Sequence, residues 1–147
     1  MQPWFVAAVG AAAFIAVHYS FLRAASGKVP DTLGALVLEG TAALGIALYY
    51  ALGPRGAVVT TTRLGVALSV VSGLAISGAS ILLFYALRRG GSVATTGAIV
   101  LGGGVTLSAL VAPLAFGEAF TVRRAVGVLL GVAAIFVLSQ EGTTTSP

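Results

Sequence analysis

The sequence has no cysteine and very few charged side chains. Its 147 residues include eight Lys and Arg, four Asp and Glu and one His, so 8% are charged while 58% are hydrophobic. Without cysteine, a disulfide framework and a thiolate metal site are both excluded. Soluble domains carry about 25% charged residues, which cover the surface that meets water. The composition therefore predicts a protein whose surface is covered by lipid.

Several classes of site are missing as well. The basic residues that give the net charge of +4 occur singly or in pairs between apolar runs, which does not indicate a nucleic-acid surface. The glycine run Gly102-Gly103-Gly104 is not a phosphate-binding loop, because no strand precedes it and no suitable Lys follows it. One His and no paired carboxylates within the apolar runs argue against an enzyme, a bound metal and a cofactor.

Five apolar runs are long enough to cross a hydrocarbon core about 30 Å thick, which takes about 20 residues in a helix. The predicted helices are Trp4–Leu22, Thr32–Leu52, Leu64–Leu87, Ser92–Leu114 and Val122–Ser139. The connections are too short to hold a second core, so residues 1–139 are predicted to form one all-α, five-helix transmembrane bundle. The polar tail, residues 140–147, is predicted to be disordered.

The loop charges favour neither orientation of this bundle. Four basic residues would lie on each side: Arg55, Arg63, Arg123 and Arg124 on one, Arg23, Lys28, Arg88 and Arg89 on the other. Orientation normally follows an excess of Lys and Arg on the cytoplasmic side. One interpretation is that one pair of basic residues has more influence than another, or that a partner protein fixes the topology. The other is that copies insert in both orientations and pair antiparallel, like the inverted repeats of transporters.

Glu39 is the one acidic residue inside a predicted span, about 10 Å below the membrane surface at 1.5 Å per residue. Because a carboxylate at that depth costs a few kcal/mol unless it is protonated or paired, such residues often relay protons. Glu39 is therefore either a proton- or cation-coupling site or half of a buried structural pair. His18, near the end of the first helix, is a possible proton-sharing partner, or an interfacial residue beside Tyr19.

Small and hydroxylated residues form stripes at helical spacing on the third and fourth helices. They are Ser69, Ser72, Gly73, Ser77 and Ser80 on the third, and Thr95, Gly102, Thr106, Ala109 and Pro113 on the fourth. Such stripes indicate either close helix packing or the wall of a solute cavity.

Three further features bear on packing and on a solute path. Gly102, Gly103 and Gly104 suggest a hinge or a close contact in mid-span. Gly127 and Gly131 form a GxxxG pattern that permits close helix pairing, including a dimer contact. Tyr85, near the end of a span, is an interfacial aromatic residue or lines a solute path.

From Leu83 onward the chain resembles the second half of an EamA-type domain of the drug/metabolite transporter superfamily. Phe84-Tyr85-Ala86-Leu87-Arg88-Arg89-Gly90 is similar to the family's aromatic-Ala-Leu segment with its basic-glycine turn, and Pro113 leads to Gly117-Glu118, which resembles its Gly-Glu signature. The remaining matches are Phe21-Leu22-Arg23-Ala24-Ala25-Ser26-Gly27 with Pro30 and Leu33, and Gly127, Gly131 and Val132 in the last helix. Glu118 lies at the membrane edge, where it is expected to pair with Arg123 or Arg124 and to fix the turn.

The resemblance covers nearly the whole chain as a single repeat, whereas familiar members carry two. It implies a multi-pass protein of the cytoplasmic membrane that dimerises, with itself or with a similar repeat, and moves a small solute by secondary transport. The alternative is a non-transporting subunit that pairs with another small repeat protein, or a component of a flippase for a lipid-linked group. The resemblance implies no particular substrate.

Overall fold

The computed structural model describes residues 2–53 and 61–141, the last of them by its backbone alone, and these residues are almost entirely helical. Within them lie five helices that are long and apolar enough to cross a membrane, which confirms the predicted number. The helices are α1, Pro3–Ala25; α2, Asp31–Leu52; α3, Arg63–Arg88; α4, Val93–Phe116; and α5, Val122–Glu141. Of the predicted tail, Gln140 and Glu141 belong to α5, and residues 142–147 lie outside the described part.

The helix ends follow local chemistry. Ser92 begins α4 as its N-cap, with its hydroxyl accepting a hydrogen bond from the Thr95 amide. Thr121 caps α5 in the same way, by accepting a hydrogen bond from the Arg124 amide at 3.2 Å. Gly117 ends α4 because its φ of 64° lies in the left-handed region that side chains disfavour. The α4–α5 connection is therefore fixed at both ends.

The middle of α4 departs from the regular helical pattern. Val93–Gly97 is α-helical, Ala98–Gly102 forms a π-helical segment, and the α-helix resumes at Gly103. A π segment inserts one extra residue into a helical turn, and such insertions are frequent at functional sites. Pro113 lies within the last part of the helix and leaves the Ala109 carbonyl without its helical donor.

The described chain divides into two compact units, residues 22–88 and residues 2–21 with 89–141. In the first unit α2 and α3 pack as an antiparallel hairpin, capped at one end by the α1–α2 turn. Its buried apolar side chains lie near that end: Leu22, Ala35, Leu83, Phe84 and Leu87. Leu87, in the last turn of α3, is completely buried.

In the second unit α5 packs along α4, and residues 12–20 of α1 also lie beside α4. The α5 residues turned toward α4 recur at helical spacing and are only partly exposed: Arg124, Val128, Gly131, Ile135 and Leu138. A hydrogen bond from Thr95 Oγ1 to the Leu138 carbonyl, 3.1 Å long, ties the beginning of α4 to the end of α5. Tyr19 of α1 is buried and lies beside Gly97 of α4.

Large apolar side chains cover the outside of both units. Leu74 is 70% exposed and Leu129 is 68% exposed, and both lie in the middle of their helices. An apolar surface of this extent on a water-soluble monomer would be unstable. The five helices and this surface indicate a multi-pass membrane protein.

Candidate functional site

The α2–α3 hairpin carries its polar contacts at two levels. At its end, Arg88 Nε donates to Asp31 Oδ1 at 2.8 Å and Arg88 Nη2 donates to Oδ2 at 2.7 Å. Asp31 lies in the first turn of α2 and Arg88 in the last turn of α3, so each charge also complements its helix dipole. The ion pair fixes the register of the two helices at the membrane edge.

The second level is the Glu39–Ser80 pair. Ser80 Oγ donates to Glu39 Oε1 at 2.6 Å, and Ser80 is buried while Glu39 is half-buried. Glu39 follows Asp31 by about two turns, and Ser80 precedes Arg88 by the same distance, so the pair lies about 12 Å inside the helix ends. Ser80 leaves the second carboxylate oxygen, Oε2, available for another donor or a proton.

Between the two levels the helices approach closely. A Cβ atom at Gly34 would lie 2.7 Å from the Phe84 ring, and Phe84 is only 3% exposed. The absence of a side chain at Gly34 therefore lets α2 reach the ring of α3. This contact fixes how closely the backbones of α2 and α3, which carry Glu39 and Ser80, approach each other.

The α1–α2 turn completes this end of the hairpin. Arg23 Nη1 donates to the Leu87 carbonyl at 2.6 Å, and Ser26 Oγ donates to the Phe84 carbonyl at 3.5 Å. The last four carbonyls of a helix have no partner within the helix, so Arg23 satisfies the Leu87 carbonyl, which would otherwise need water. The basic residue at Arg23 also complements the negative end of the α3 dipole.

The other candidate residues of solute binding lie in different surroundings. His18, half-buried, meets the Tyr19 ring edge to face at 5.5 Å, and its pairing with Glu39, which belongs to the other unit, stays a prediction. Tyr85 lies under the Arg88 guanidinium, 5.3 Å from the ring centroid. Ser72 is exposed on α3, whereas Ser80, about two turns further along the same helix, is buried.

The α4–α5 contact uses several of the predicted small residues. A Cβ at Gly131 would lie 3.1 Å from Thr106 Oγ1, and one at Gly102 would lie 3.4 Å from Ile135. Gly103 and Gly104, in contrast, have open space beside them. Gly131 therefore packs within the chain, whereas a side chain at Gly127 would meet nothing. The dimer contact predicted for Gly127 and Gly131 stays a prediction.

The Gly117-Glu118 turn carries the second ion pair. Glu118 Oε2 accepts a hydrogen bond from Arg124 Nη2, one of the two partners expected from the sequence. Arg124 Nη1 is buried and has no hydrogen-bond partner among the described residues. The turn therefore provides a hydrogen-bond acceptor for Nη2 of Arg124 but none for Nη1.

Two apolar grooves run along α4 in the second unit. A groove of about 460 Å³ lies between α4 and α5 and includes Thr106 and Gly127 in its walls, with Arg124 among its lining residues. Another, of about 560 Å³, lies between α1 and α4 and is lined by Tyr19 and Gly97. Leu101, in the π-helical segment, borders both grooves. A change in the geometry of this segment would alter both.

Sequence reasoning alone identified Glu39 but not its contact with Ser80, nor the pairing of Asp31 with Arg88. The signal that would have found both pairs is the antiparallel register of a hairpin, since the two members of each pair lie equally far from the ends of their helices. The buried Nη1 of Arg124 was also missed, because it depends on how closely α5 lies against α4.

Comparison of the chain with protein-family models, with curated proteins and with solved structures found no match.

Proposed function

We propose that this protein is a secondary transporter that moves a small solute across the cytoplasmic membrane, with Glu39 as its coupling group. The observation that carries the proposal is a carboxylate about 12 Å inside the α2–α3 hairpin, held by a single hydroxyl donor, Ser80 Oγ. A purely structural carboxylate at this depth would be expected to pair with a cation. A carboxylate held only by a serine is able to bind and release a proton or a cationic group.

Alternating access is supported by the construction of α4. Its π-helical segment, Ala98–Gly102, leads directly into Gly103 and Gly104, which have open space beside them. A π segment can shift along a helix when the hydrogen-bond pattern changes, and glycines lower the cost of that change. Movement at this point would reshape the α1–α4 and α4–α5 grooves, because Leu101 borders both.

The working unit is proposed to be an antiparallel dimer, because the chain resembles one EamA-type repeat and has the same number of basic residues in the loops of each side. Two copies in opposite orientation reproduce an inverted repeat. If this is right, a cysteine introduced as Lys28→Cys in the exposed α1–α2 turn reacts with a membrane-impermeant reagent from both faces of the membrane. Reaction from one face alone would exclude the antiparallel arrangement.

The function is tested with the purified protein alone in liposomes. Candidate solutes of different charge are screened for uptake with and without an imposed pH gradient, and empty liposomes give the background. We expect uptake of at least one solute that rises when the gradient is imposed, because the proposed coupling group exchanges protons. A protein that is stably folded in the liposomes but moves none of the solutes would contradict the proposal.

The second candidate function is a non-transporting subunit that pairs with another small repeat protein. It is favoured by the limited core of the described chain, in which most of the buried apolar side chains cluster near the α1–α2 turn and most other large apolar side chains are exposed. Flux through the lone protein excludes this candidate. Flux that appears only when a second repeat protein is reconstituted with the chain supports it.

A further inference from the structure

We propose that the α4–α5 groove binds one acyl chain of an anionic phospholipid, with the lipid phosphate at Arg124. This proposal does not use the coupling role proposed for Glu39. It rests on the shape and lining of the groove, on the state of the Arg124 guanidinium and on the charge balance around it.

The groove has the dimensions and chemistry of an acyl-chain site. Apart from Arg124, its walls are apolar or small, formed by Leu101, Val105, Ala109 and Val128 with four glycine or threonine positions between them. From Arg124 to Gly131 it follows α5 for about two turns, or about 10 Å. Its volume of about 460 Å³ leaves room for an extended hydrocarbon chain rather than a single water.

Arg124 lies where a headgroup would lie. It is in the first turn of α5, next to the α4–α5 connection, and therefore at the membrane edge. Its Nη2 is bound to Glu118, whereas its Nη1 is buried without a partner in the described chain. A buried guanidinium nitrogen without a partner is costly, and a phosphate oxygen is a strong acceptor for it.

Charge balance favours an anionic lipid over a second copy of the chain. Arg123 and Arg124 outnumber Glu118 at this end of the groove, which leaves it positive. Asp31 is already paired with Arg88, and Glu39 lies about two turns inside the α2–α3 hairpin rather than at a helix end. An anionic lipid, in contrast, brings both a negative charge to the membrane edge and a hydrocarbon chain to the groove.

The test uses native mass spectrometry of the full-length protein released from detergent after incubation with equimolar phosphatidylglycerol and phosphatidylcholine of identical acyl chains. We expect the wild type to retain phosphatidylglycerol about fivefold over phosphatidylcholine, the ratio that one basic residue at a membrane surface supports. Arg124→Gln is expected to bring this ratio near one. Gly127→Leu, which fills the groove, is expected to reduce retention of both lipids.

Two matched variants separate lipid binding from a structural effect. Glu118→Gln breaks the same ion pair as Arg124→Gln but keeps the guanidinium, so it should retain the preference for phosphatidylglycerol. Arg63→Gln removes a positive charge from the beginning of α3 and should also retain the preference for phosphatidylglycerol. A loss of preference in either variant as large as that in Arg124→Gln would overturn the proposal.

The remaining outcomes concern other occupants of the groove. Glycerol 3-phosphate in large excess has the headgroup without acyl chains, and we expect it not to displace the lipid. Displacement by it would show a site for free anions and contradict the proposal. If Gly127→Leu converts a dimer into a monomer and leaves lipid retention unchanged, the groove is occupied by a second copy, and the proposal is again wrong.

Discussion

Replacing Glu39 by Gln is expected to abolish the stimulation of solute uptake by a pH gradient. Gln has nearly the same shape and can still accept the hydrogen bond from Ser80 Oγ, but it cannot bind and release a proton at neutral pH. We expect gradient-driven uptake to fall by at least about tenfold, which corresponds to about 1.4 kcal/mol. The measurement compares uptake in liposomes at several pH values for the wild type and the variant, at equal protein content.

Two other variants on the same hairpin serve as controls. Asp31→Asn makes the same chemical change at the membrane edge, where it removes an ion pair whose arginine is 41% exposed, so we expect only a small loss of stability. It should keep the response to the gradient. Ser80→Ala retains the carboxylate and should also keep the response. Persistent gradient stimulation in Glu39→Gln would refute the coupling role.

Replacing Gly34 by Leu is expected to produce the largest loss of stability in the α2–α3 hairpin. Even a Cβ at this position would lie 2.7 Å from the Phe84 ring and 3.1 Å from a Val29 methyl group. Because Phe84 is only 3% exposed, its ring has little space into which to move. Overpacking of this kind costs about 3 kcal/mol at the upper end of its usual range.

Gly40→Leu is the matched control on the same helix. A side chain there would meet nothing within 4 Å, so the variant should gain up to about 1 kcal/mol from helix propensity. The free energy of unfolding is measured by titration with a denaturing detergent, followed by circular dichroism. Equal effects of the two substitutions would mean that the close approach of α2 to Phe84 is wrong.

The helices were predictable because a backbone in hydrocarbon must satisfy its own hydrogen bonds, and a single long apolar run does so by forming a helix. The predicted ends were less accurate. α1 continues past Leu22 to Ala25, since Arg23, Ala24 and Ala25 are good helix formers and the next strong breaker is Gly27. α4 continues to Phe116, because Gly117 is the first residue that adopts the left-handed conformation.

The candidate site was predictable only in part. The position of Glu39 along α2 follows from counting residues in an apolar helix, and it lies about two turns inside the helix end. Its contact with Ser80 depends on the register of the α2–α3 hairpin, which the Asp31–Arg88 pair fixes and which periodicity along one helix does not contain. The π-helical segment of α4 could not be predicted from the sequence either, since an extra residue in a helical turn leaves the apolar pattern almost unchanged.

The central claim, that these five helices lie in a membrane, is tested most directly by cysteine labelling, because the native chain has no cysteine. Leu74→Cys is the informative variant, since Leu74 lies in mid-span and is 70% exposed on the surface of the chain. We expect it to resist a membrane-impermeant maleimide in open membrane vesicles and to react only after denaturation, whereas Lys28→Cys reacts at once. Reaction of Leu74→Cys as fast as that of Lys28→Cys in native vesicles would contradict the account.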